Sequence, residues 1–425
     1  MPRLDWPKHV VAELPELDTL FGPLLRHQIV GLAVSGGSDS LALMLLASRW
    51  AMERPAPALF VYTVDHGLRP EAKEEAAAVV SVAAELGLPA RSLLWRGEKP
   101  STGVQEAARD ARYRLIGEAM SADGATALVT AHHREDQAET LLMRLAHGSG
   151  LEGLKGMEVS STVGGTPVLR PLLGVGRSLL RAVVEAAELA PAEDPGNDDP
   201  VYERVRWRKL LPELSALGLD PETLAIFARR MGEANSALAE VADAAFDADV
   251  MIDGFGAARF LQADFATLSP AIATRLLKRV LNVVGGRQKP RALGQIERLR
   301  DSLAGPAEIG STTALGCIIR FDGDTVIVAR EPGRLSIPRF SLQPNSEVIW
   351  DDRFIIANGS GDAVMSVGVI PHIDRRKLAE FLGFRVTAPA EAIRTAPVVR
   401  DGEDKILALG GWSFDERVAV RLMVD

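Results

Sequence analysis

Two hydrophobic signatures alternate through the first half of the chain. Short runs of β-branched and aromatic residues are followed by longer alanine-rich stretches whose apolar positions recur every three or four residues. Ile29, Val30, Gly31, Leu32, Ala33 and Val34 read as a strand, and residues 41–46 as the opening of a helix. Residues 59–64 form a second strand-like run, 71–86 a helix stopped at Gly87, and 90–94 a third strand. The spacing then predicts a helix over 106–120, a strand over 127–130 and a helix over 136–145. Strand–helix units of this length build a mostly parallel sheet with helices on both faces, so the pattern predicts a doubly wound α/β domain. Ligands in such sheets bind beyond the carboxyl ends of the strands. Three polar clusters follow these strands, at residues 35–40, 65–69 and 132–136. They should converge on one crevice.

The rhythm breaks at residues 192–200, rich in Pro, Gly and Asp. A long amphipathic helix over 221–247 then connects to a second region. Helices near 269–284 and 292–303, with strands at 312–321 and 325–329, predict a small α+β unit. From about residue 335 onward, short alternating runs at 348–350, 354–357, 364–369 and 406–409 predict a small β-rich domain. The expected division is a catalytic domain over 1–215, a helical and α+β domain over 216–334, and a β-rich domain over 335–425.

The first polar cluster reads Ser35, Gly36, Gly37, Ser38, Asp39, Ser40. Glycines let the backbone turn its N–H groups toward an anion, and the following helix start adds unpaired N–H donors and partial positive charge. A carboxylate beside phosphate is repelled unless a cation bridges the two, so Asp39 points to Mg²⁺ together with a nucleotide. The commoner phosphate loop, Gly-x-x-x-x-Gly-Lys-Ser/Thr, is absent. Gly148, Gly150 and Gly153 match a dinucleotide fingerprint as a string, but they follow a helix and read as its stop.

At 425 residues the chain has room for two or three domains. Its one cysteine, Cys317, excludes a disulfide framework or a cysteine-only metal site. The opening residues lack an apolar signal core and no run is long enough to span a bilayer, which leads us to expect a cytoplasmic protein with no membrane partner. A net charge of −9 argues weakly against nucleic acid, because local charge decides binding. Basic residues gather at Arg204, Arg206, Arg208 and Lys209, and at Arg287, Lys289, Arg291, Arg298 and Arg300; acidic ones gather at 71–75 and 193–199.

The third polar cluster runs His132, His133, Arg134, Glu135, Asp136, Gln137, Ala138, Glu139, Thr140. A helix beginning here would set imidazole, carboxylate and hydroxyl on one face at a strand end. Arg109 and Arg112 lie three apart on the preceding predicted helix and could clamp phosphate or carboxylate.

The six-residue loop resembles the pyrophosphatase loop of the N-type ATP pyrophosphatases. With Val64, Asp65, His66, Gly67, Leu68 and Arg69, with residues 105–114, and with 132–140 running on to Gly148 and Gly150, the ordered set resembles the tRNA(Ile)-lysidine synthetase family. Residues 170–173 and 194–197, and Tyr202 with the arginines after it, continue the likeness. The resemblance is close over roughly 28–215. It implies an adenine nucleotide α-hydrolase-like fold and an ATP-dependent ligase. The wobble cytidine of tRNA(Ile) with a CAU anticodon would be adenylated at its C2 oxygen, and free L-lysine would then displace AMP to form lysidine, after release of diphosphate. It further implies that Ser35, Gly36, Gly37, Ser38 and Ser40 hold phosphates, that Asp39 and Asp136 serve Mg²⁺, and that Val64, Asp65 and His66 line the nucleotide crevice. His133, Asp136 and Arg112 would act around the transfer, with His133 or Asp136 relieving the lysine amine of its proton, and Arg204, Arg206 and Arg208 would meet tRNA. A homodimer is left open. Two positions depart from the family pattern. Glu135 stands where an aspartate is usual, and Val205 interrupts the arginines where an asparagine is usual.

A tRNA thiolating enzyme would need thiols or an iron–sulfur cluster, for which Cys317 alone is insufficient. An amidotransferase-type ligase would need an N-terminal cysteine glutaminase, which is absent. A tRNA- or nucleotide-binding module without turnover would not require Asp39 and Asp136.

Overall fold

A computed structural model describes residues 6–97, 99–100, 102–192, 199–286, 293–305, 310–334, 339–370 and 374–424. Most of the acidic run at 193–199, and Arg287, Lys289 and Arg291, lie outside them. The chain separates into two compact units, residues 1–235 and 236–425.

Two short helices, α1 (Lys8–Glu13) and α2 (Leu17–Phe21), precede the sheet-building part of the first unit. There follow β1 (Ile29–Ala33), α3 (Ser38–Met52), β2 (Ala58–Asp65), α4 (Glu71–Glu85), β3 (Ala90–Leu94), α5 (Val104–Asp123), β4 (Ala127–Val129) and α6 (Arg134–Ala146). Next come α7 (Leu151–Leu154), β5 (Ser160–Val163), β6 (Thr166–Leu169), α8 (Arg177–Ala186), α9 (Glu203–Ala216) and α10 (Pro221–Asp249). The sheet order is β3-β2-β1-β4-β6-β5, parallel except for β5. Side chains alternate between its faces as a period of two requires. Val30, Leu32, Leu59, Val61, Ala127 and Val129 join the core under α3, α4 and α8, whereas Phe60, Tyr62 and Leu128 pack on the α5 side with Tyr113, Ile116 and Met120. The expected doubly wound sheet is therefore present. Helix α3 is buried all round, from Ser40 through Ser48, so it needs no polar face.

One edge was not foreseen. The β5–β6 hairpin turns on Gly164 and Gly165, both at positive φ, and lays β6 beside β4.

The second unit contains β7 (Met251–Ile252), β8 (Ala258–Leu261), α11 (Gln262–Thr267), α12 (Pro270–Gly285), α13 (Leu293–Ala304), β9 (Ser311–Ala314), β10 (Cys317–Asp322) and β11 (Thr325–Arg330). These form an antiparallel sheet, β7-β8-β11-β10-β9, covered by the apolar stripe of α12. The single strand expected over 312–321 is two strands. Leu315 and Gly316 both take positive φ and fold Ala314 back onto Cys317, a turn that the continuous apolar run conceals. Cys317 is a buried apolar member of this core.

The remaining elements are β12 (Phe340–Leu342), β13 (Ser346–Trp350), β14 (Phe354–Asn358), β15 (Met365–Gly368), α14 (Arg375–Leu382), α15 (Ala390–Thr395), β16 (Val398–Arg400), β17 (Ile406–Leu409), β18 (Trp412–Ser413) and β19 (Val418–Leu422). They build two more antiparallel sheets, β12-β15-β16-β17-β18 and β13-β14-β19. The β-rich end of the chain is as expected. A fork of charge sits inside it: Arg330 donates through Nε and Nη2 to Asp351 at 2.7 and 2.8 Å, and Arg353 Nε donates to the same carboxylate at 3.0 Å.

Candidate active site

In the first unit the strand order reverses beside β1, which pairs with β2 on one side and β4 on the other. That switch point is where this class of sheet opens a crevice. The loop after β1 enters it through Gly36 at φ +90°, a conformation a side chain disfavours. An added Cβ there would meet Val79 Cγ2 at 3.4 Å and Ala192 Cβ at 3.5 Å, ordinary contact, so it is the backbone angle that calls for glycine. Gly37 then precedes α3 without a side-chain cap, and the first intrahelical bond runs from Leu41 N–H to Gly37 O at 3.0 Å. The N–H groups of Ser38, Asp39 and Ser40 thus lack intrahelical acceptors, a feature that suits an anion. Ser35 and Ser38 keep some exposure, while Ser40 is buried. Ser40 Oγ accepts from Ser35 N–H at 3.1 Å and donates to Gly37 O at 2.9 Å, so it shapes the loop.

Across the switch point α6 begins one residue after His133, and His132 lies outside the helix. The shared helical face expected for His132 and Asp136 is therefore not formed. His132 Nδ1 meets Thr130 Oγ1 at 2.8 Å instead, and burial pushes its pKa down to about 4, leaving a neutral imidazole. Asp136, in the first turn, accepts from His133 N–H at 3.1 Å, half of a capping box.

His133 is the hub. Its Nε2 lies 3.5 Å from Asp39 Oδ2 and 3.4 Å from Asp136 Oδ2, and its Nδ1 lies 3.0 Å from Glu135 Oε2. Burial opposes charge on this imidazole, but the hydrogen bonds of Asp39 and Glu135 and the charge of Asp136 overcome it and raise the pKa to about 9. The converse holds for Asp39 and Glu135. Burial would raise both, yet His133 leads a set of partners that holds each below the usual carboxylate range. The longer reach of Glu135 is used twice, since Oε2 also accepts from Arg177 N–H at 2.9 Å. Arg177 Nε lies 3.8 Å from Asp39 Oδ1. Nothing in the sequence marks this half-buried arginine at the start of α8 apart from other basic residues.

Val64, Asp65 and His66 stand at the end of β2, each partly exposed. Asp65 Oδ1 accepts from Gly67 N–H at 2.8 Å. Arg112 Nη2 lies 3.3 Å from His66 Nε2, which groups Arg112 with the β2 end. Arg204 and Arg208 share a face of α9. Their Nε atoms lie 3.0 and 2.8 Å from the carboxylate of Glu139, a residue of α6 only 1 % exposed. Arg208 is held above its ordinary pKa by that hydrogen bond. Arg206 points away, donating to the carbonyls of Pro200 and Val201 at 2.9 Å. Between α6, α8 and α9 lies a cavity of about 200 Å³ lined by Glu135, Glu139, Arg177, Arg208, Leu211, Pro212, Ser215 and Pro221.

Among the described residues no cluster of three or more carboxylates, histidines or cysteines could hold a metal unaided. Asp39 Oδ1 is nevertheless buried without a hydrogen-bond partner, and Asp39 and Asp136 converge on one nitrogen. Those features fit Mg²⁺, which takes one or two carboxylates and completes its shell with substrate phosphates and water.

The PP-loop domain family matches residues 11–214. A tRNA(Ile)-lysidine synthase of Bradyrhizobium sp. strain BTAi1 is 41 % identical over 346 residues, spanning 77 % of this chain and 96 % of that protein. A protein of the same name from Wolbachia sp. subsp. Brugia malayi is 34 % identical over 410 residues, 95 % of this chain and 94 % of its own. Among solved structures, the U34-tRNA thiolase NcsA of Methanococcus maripaludis is 16 % identical, with a TM-score of 0.44 over 51 % of this chain and 78 % of that one.

Proposed function

Because the chain belongs to the tRNA(Ile)-lysidine synthase family, we propose that it uses ATP to adenylate the C2 oxygen of the wobble cytidine of tRNA(Ile) bearing a CAU anticodon, and that free L-lysine then displaces AMP to give lysidine. The observation that carries this reading is the convergence of Asp39 and Asp136 on His133 beside the uncapped start of α3. A triphosphate seated on that helix start brings its α-phosphate toward three charged side chains.

The roles follow from chemistry. The backbone N–H groups of residues 36–40 and the hydroxyls of Ser35 and Ser38 bind phosphate oxygens, with Ser40 bracing the loop. Val64, Asp65 and His66 line the nucleotide crevice, and Arg112 meets phosphate from the β2 side. Asp39 and Asp136 would hold Mg²⁺, which supplies charge neutralisation on the departing diphosphate. His133, charged at neutral pH, keeps the carboxylates close despite their repulsion and stabilises charge on the adenylated intermediate.

Lysine arrives mostly as an ammonium, with a reference pKa of about 10.4, yet attacks as the neutral amine. Asp136 or His133 is the candidate base. The cavity beside α9 suits lysine. Arg177 can face its carboxylate, Leu211, Pro212 and Pro221 its aliphatic stem, and Glu135 its ammonium group. The adjacent Arg204 and Arg206, with Arg208, are offered as tRNA-phosphate contacts, Arg206 being the most open to solvent of the three. We keep the division into domains 1–215, 216–334 and 335–425 as the working partition, and place the reaction in the cytoplasm, where tRNA and ATP meet. A thiolation reading lacks support: Cys317 is alone, and burial pushes its thiol up to about 12.

Incubation with ATP, Mg²⁺ and the CAU-bearing tRNA, with and without lysine, followed by nucleoside mass analysis, tests the proposal. The expected outcome is a cytidine heavier by a lysyl adduct only when lysine is present. The same modification without lysine, or a sulfur-bearing base, would refute it.

A further inference from the structure

The roles above leave Trp95 without a task. It directly follows β3, the edge strand, and its N–H donates to Asp65 O at 2.9 Å, extending the β2–β3 ladder by one step toward the ligand end of the sheet. The indole there is only partly buried. It meets the His66 ring edge to face, with centroids 6.2 Å apart and planes at 89°. The Lys99 ammonium stands 4.1 Å from the indole centroid, a cation–π contact on one ring face. Arg112, through its contact with His66 at 3.3 Å, adds a second cation. The Asp65 carboxylate on this rim is engaged with Gly67 N–H.

A tryptophan is rarely buried completely, so partial exposure alone assigns it no role. This one meets imidazole and ammonium, with a guanidinium one contact further on, at the end of the sheet where ligands bind. Aromatic surface bordered by cations is what unpaired nucleotides select, stacking on the ring while the cations meet the adjoining phosphates.

We propose that Trp95 is a stacking wall for a nucleobase in the crevice, with Lys99 and Arg112 facing the phosphates beside that base. The inference rests on the function proposed above. Its base has two sources, the adenine of ATP or an unpaired base of the tRNA anticodon loop.

Full-length wild-type protein, Trp95→Phe and Trp95→Ala are titrated separately with Mg·ATP and with a CAU anticodon stem-loop, following tryptophan emission. The chain has six tryptophans, so the difference between wild type and Trp95→Phe isolates this one. Quenching of the Trp95 signal by one ligand, about tenfold weaker binding of that ligand by Trp95→Ala and near wild-type binding by Trp95→Phe are expected. Quenching by ATP alone assigns adenine, and quenching by RNA alone assigns an anticodon-loop base. If neither ligand alters the Trp95 emission and Trp95→Ala binds both as wild type does, the proposal is wrong. Lysidine formation by the same wild-type preparation separates the two failures: its absence refutes the underlying function, whereas its presence with a silent Trp95 refutes only the stacking wall.

Discussion

Both units of the chain bring carboxylate and cation together, yet the two clusters are built for opposite purposes. In the second unit Arg330, Asp351 and Arg353 are 2, 7 and 0 % exposed by side chain, and both carboxylate oxygens of Asp351 are taken up by guanidinium donors. Arg330 Nη1 donates further to Gly316 O and Arg353 Nη2 to Thr395 O. In the first unit Asp39 and Glu135 remain 27 % exposed, and Asp39 Oδ1 has no hydrogen-bond partner. The buried fork directs most of its hydrogen-bonding capacity into its own fold, with Arg353 Nη1 left buried and without a hydrogen-bond partner. The His133 cluster keeps some of that capacity unused, beside a helix start whose first N–H groups lack intrahelical acceptors. The difference lies in burial and place: charge paired deep in a core braces a fold, whereas half-exposed charge beside a helix start at a strand end suits a ligand.

Removing Asp351 breaks that contrast most severely. Asp351→Ala should leave two buried guanidiniums unpaired and destabilise the second unit by about 3–5 kcal/mol, read as a lower urea midpoint. Replacing Arg330, Asp351 and Arg353 together by apolar residues of similar volume should recover most of that loss. A single-site change of under about 1 kcal/mol would mean the fork is not a lock.

Asp136→Asn should do the reverse. Lysidine formation should fall by about a hundred- to a thousand-fold while the urea midpoint stays near that of wild type. Undiminished lysidine formation by the Asp136→Asn protein would remove Asp136 from the chemistry.

A third, smaller effect is in pH. The folded pKa of His133, about 9, exceeds the ordinary 6.5, so its stabilising contribution is complete below pH 6.5 and fades as pH rises through 9. Asp39 and Glu135, held low, contribute above their ordinary values and lose that contribution in acid. Wild-type stability should therefore decline between pH 6.5 and 9 relative to His133→Gln, measured by urea midpoint across that range. Parallel curves would show that His133 carries no excess proton.

The mildest prediction concerns Arg206. Arg206→Ala should reduce the salt dependence of tRNA binding by about one ion and weaken binding only severalfold, with stability unchanged. An unaltered slope would take Arg206 out of the RNA surface.

Much of this fold is legible in the sequence. The strands at 58–65 and 90–94 and the long α10 announce themselves through β-branched runs and alanine-rich periodicity, and the three polar clusters were located because each follows such a strand. What escaped notice depended on tertiary pairing. The β5–β6 hairpin is four residues on each side, too short for a periodic signal. The turn at Leu315 and Gly316 hides because a leucine at positive φ looks like one more strand residue. Arg177 and Trp95 matter only through what the fold brings against them, Asp39 and Glu135 in one case and His66 in the other. His132 and His133 are adjacent in sequence, yet burial empties one of its proton while carboxylates fill the other.

The account stands most directly on which bond of ATP is broken. With the nucleotide labelled at the α- and γ-phosphates in a complete reaction, AMP and diphosphate should appear one for one with lysidine. ADP with inorganic phosphate in that stoichiometry would contradict the site as described.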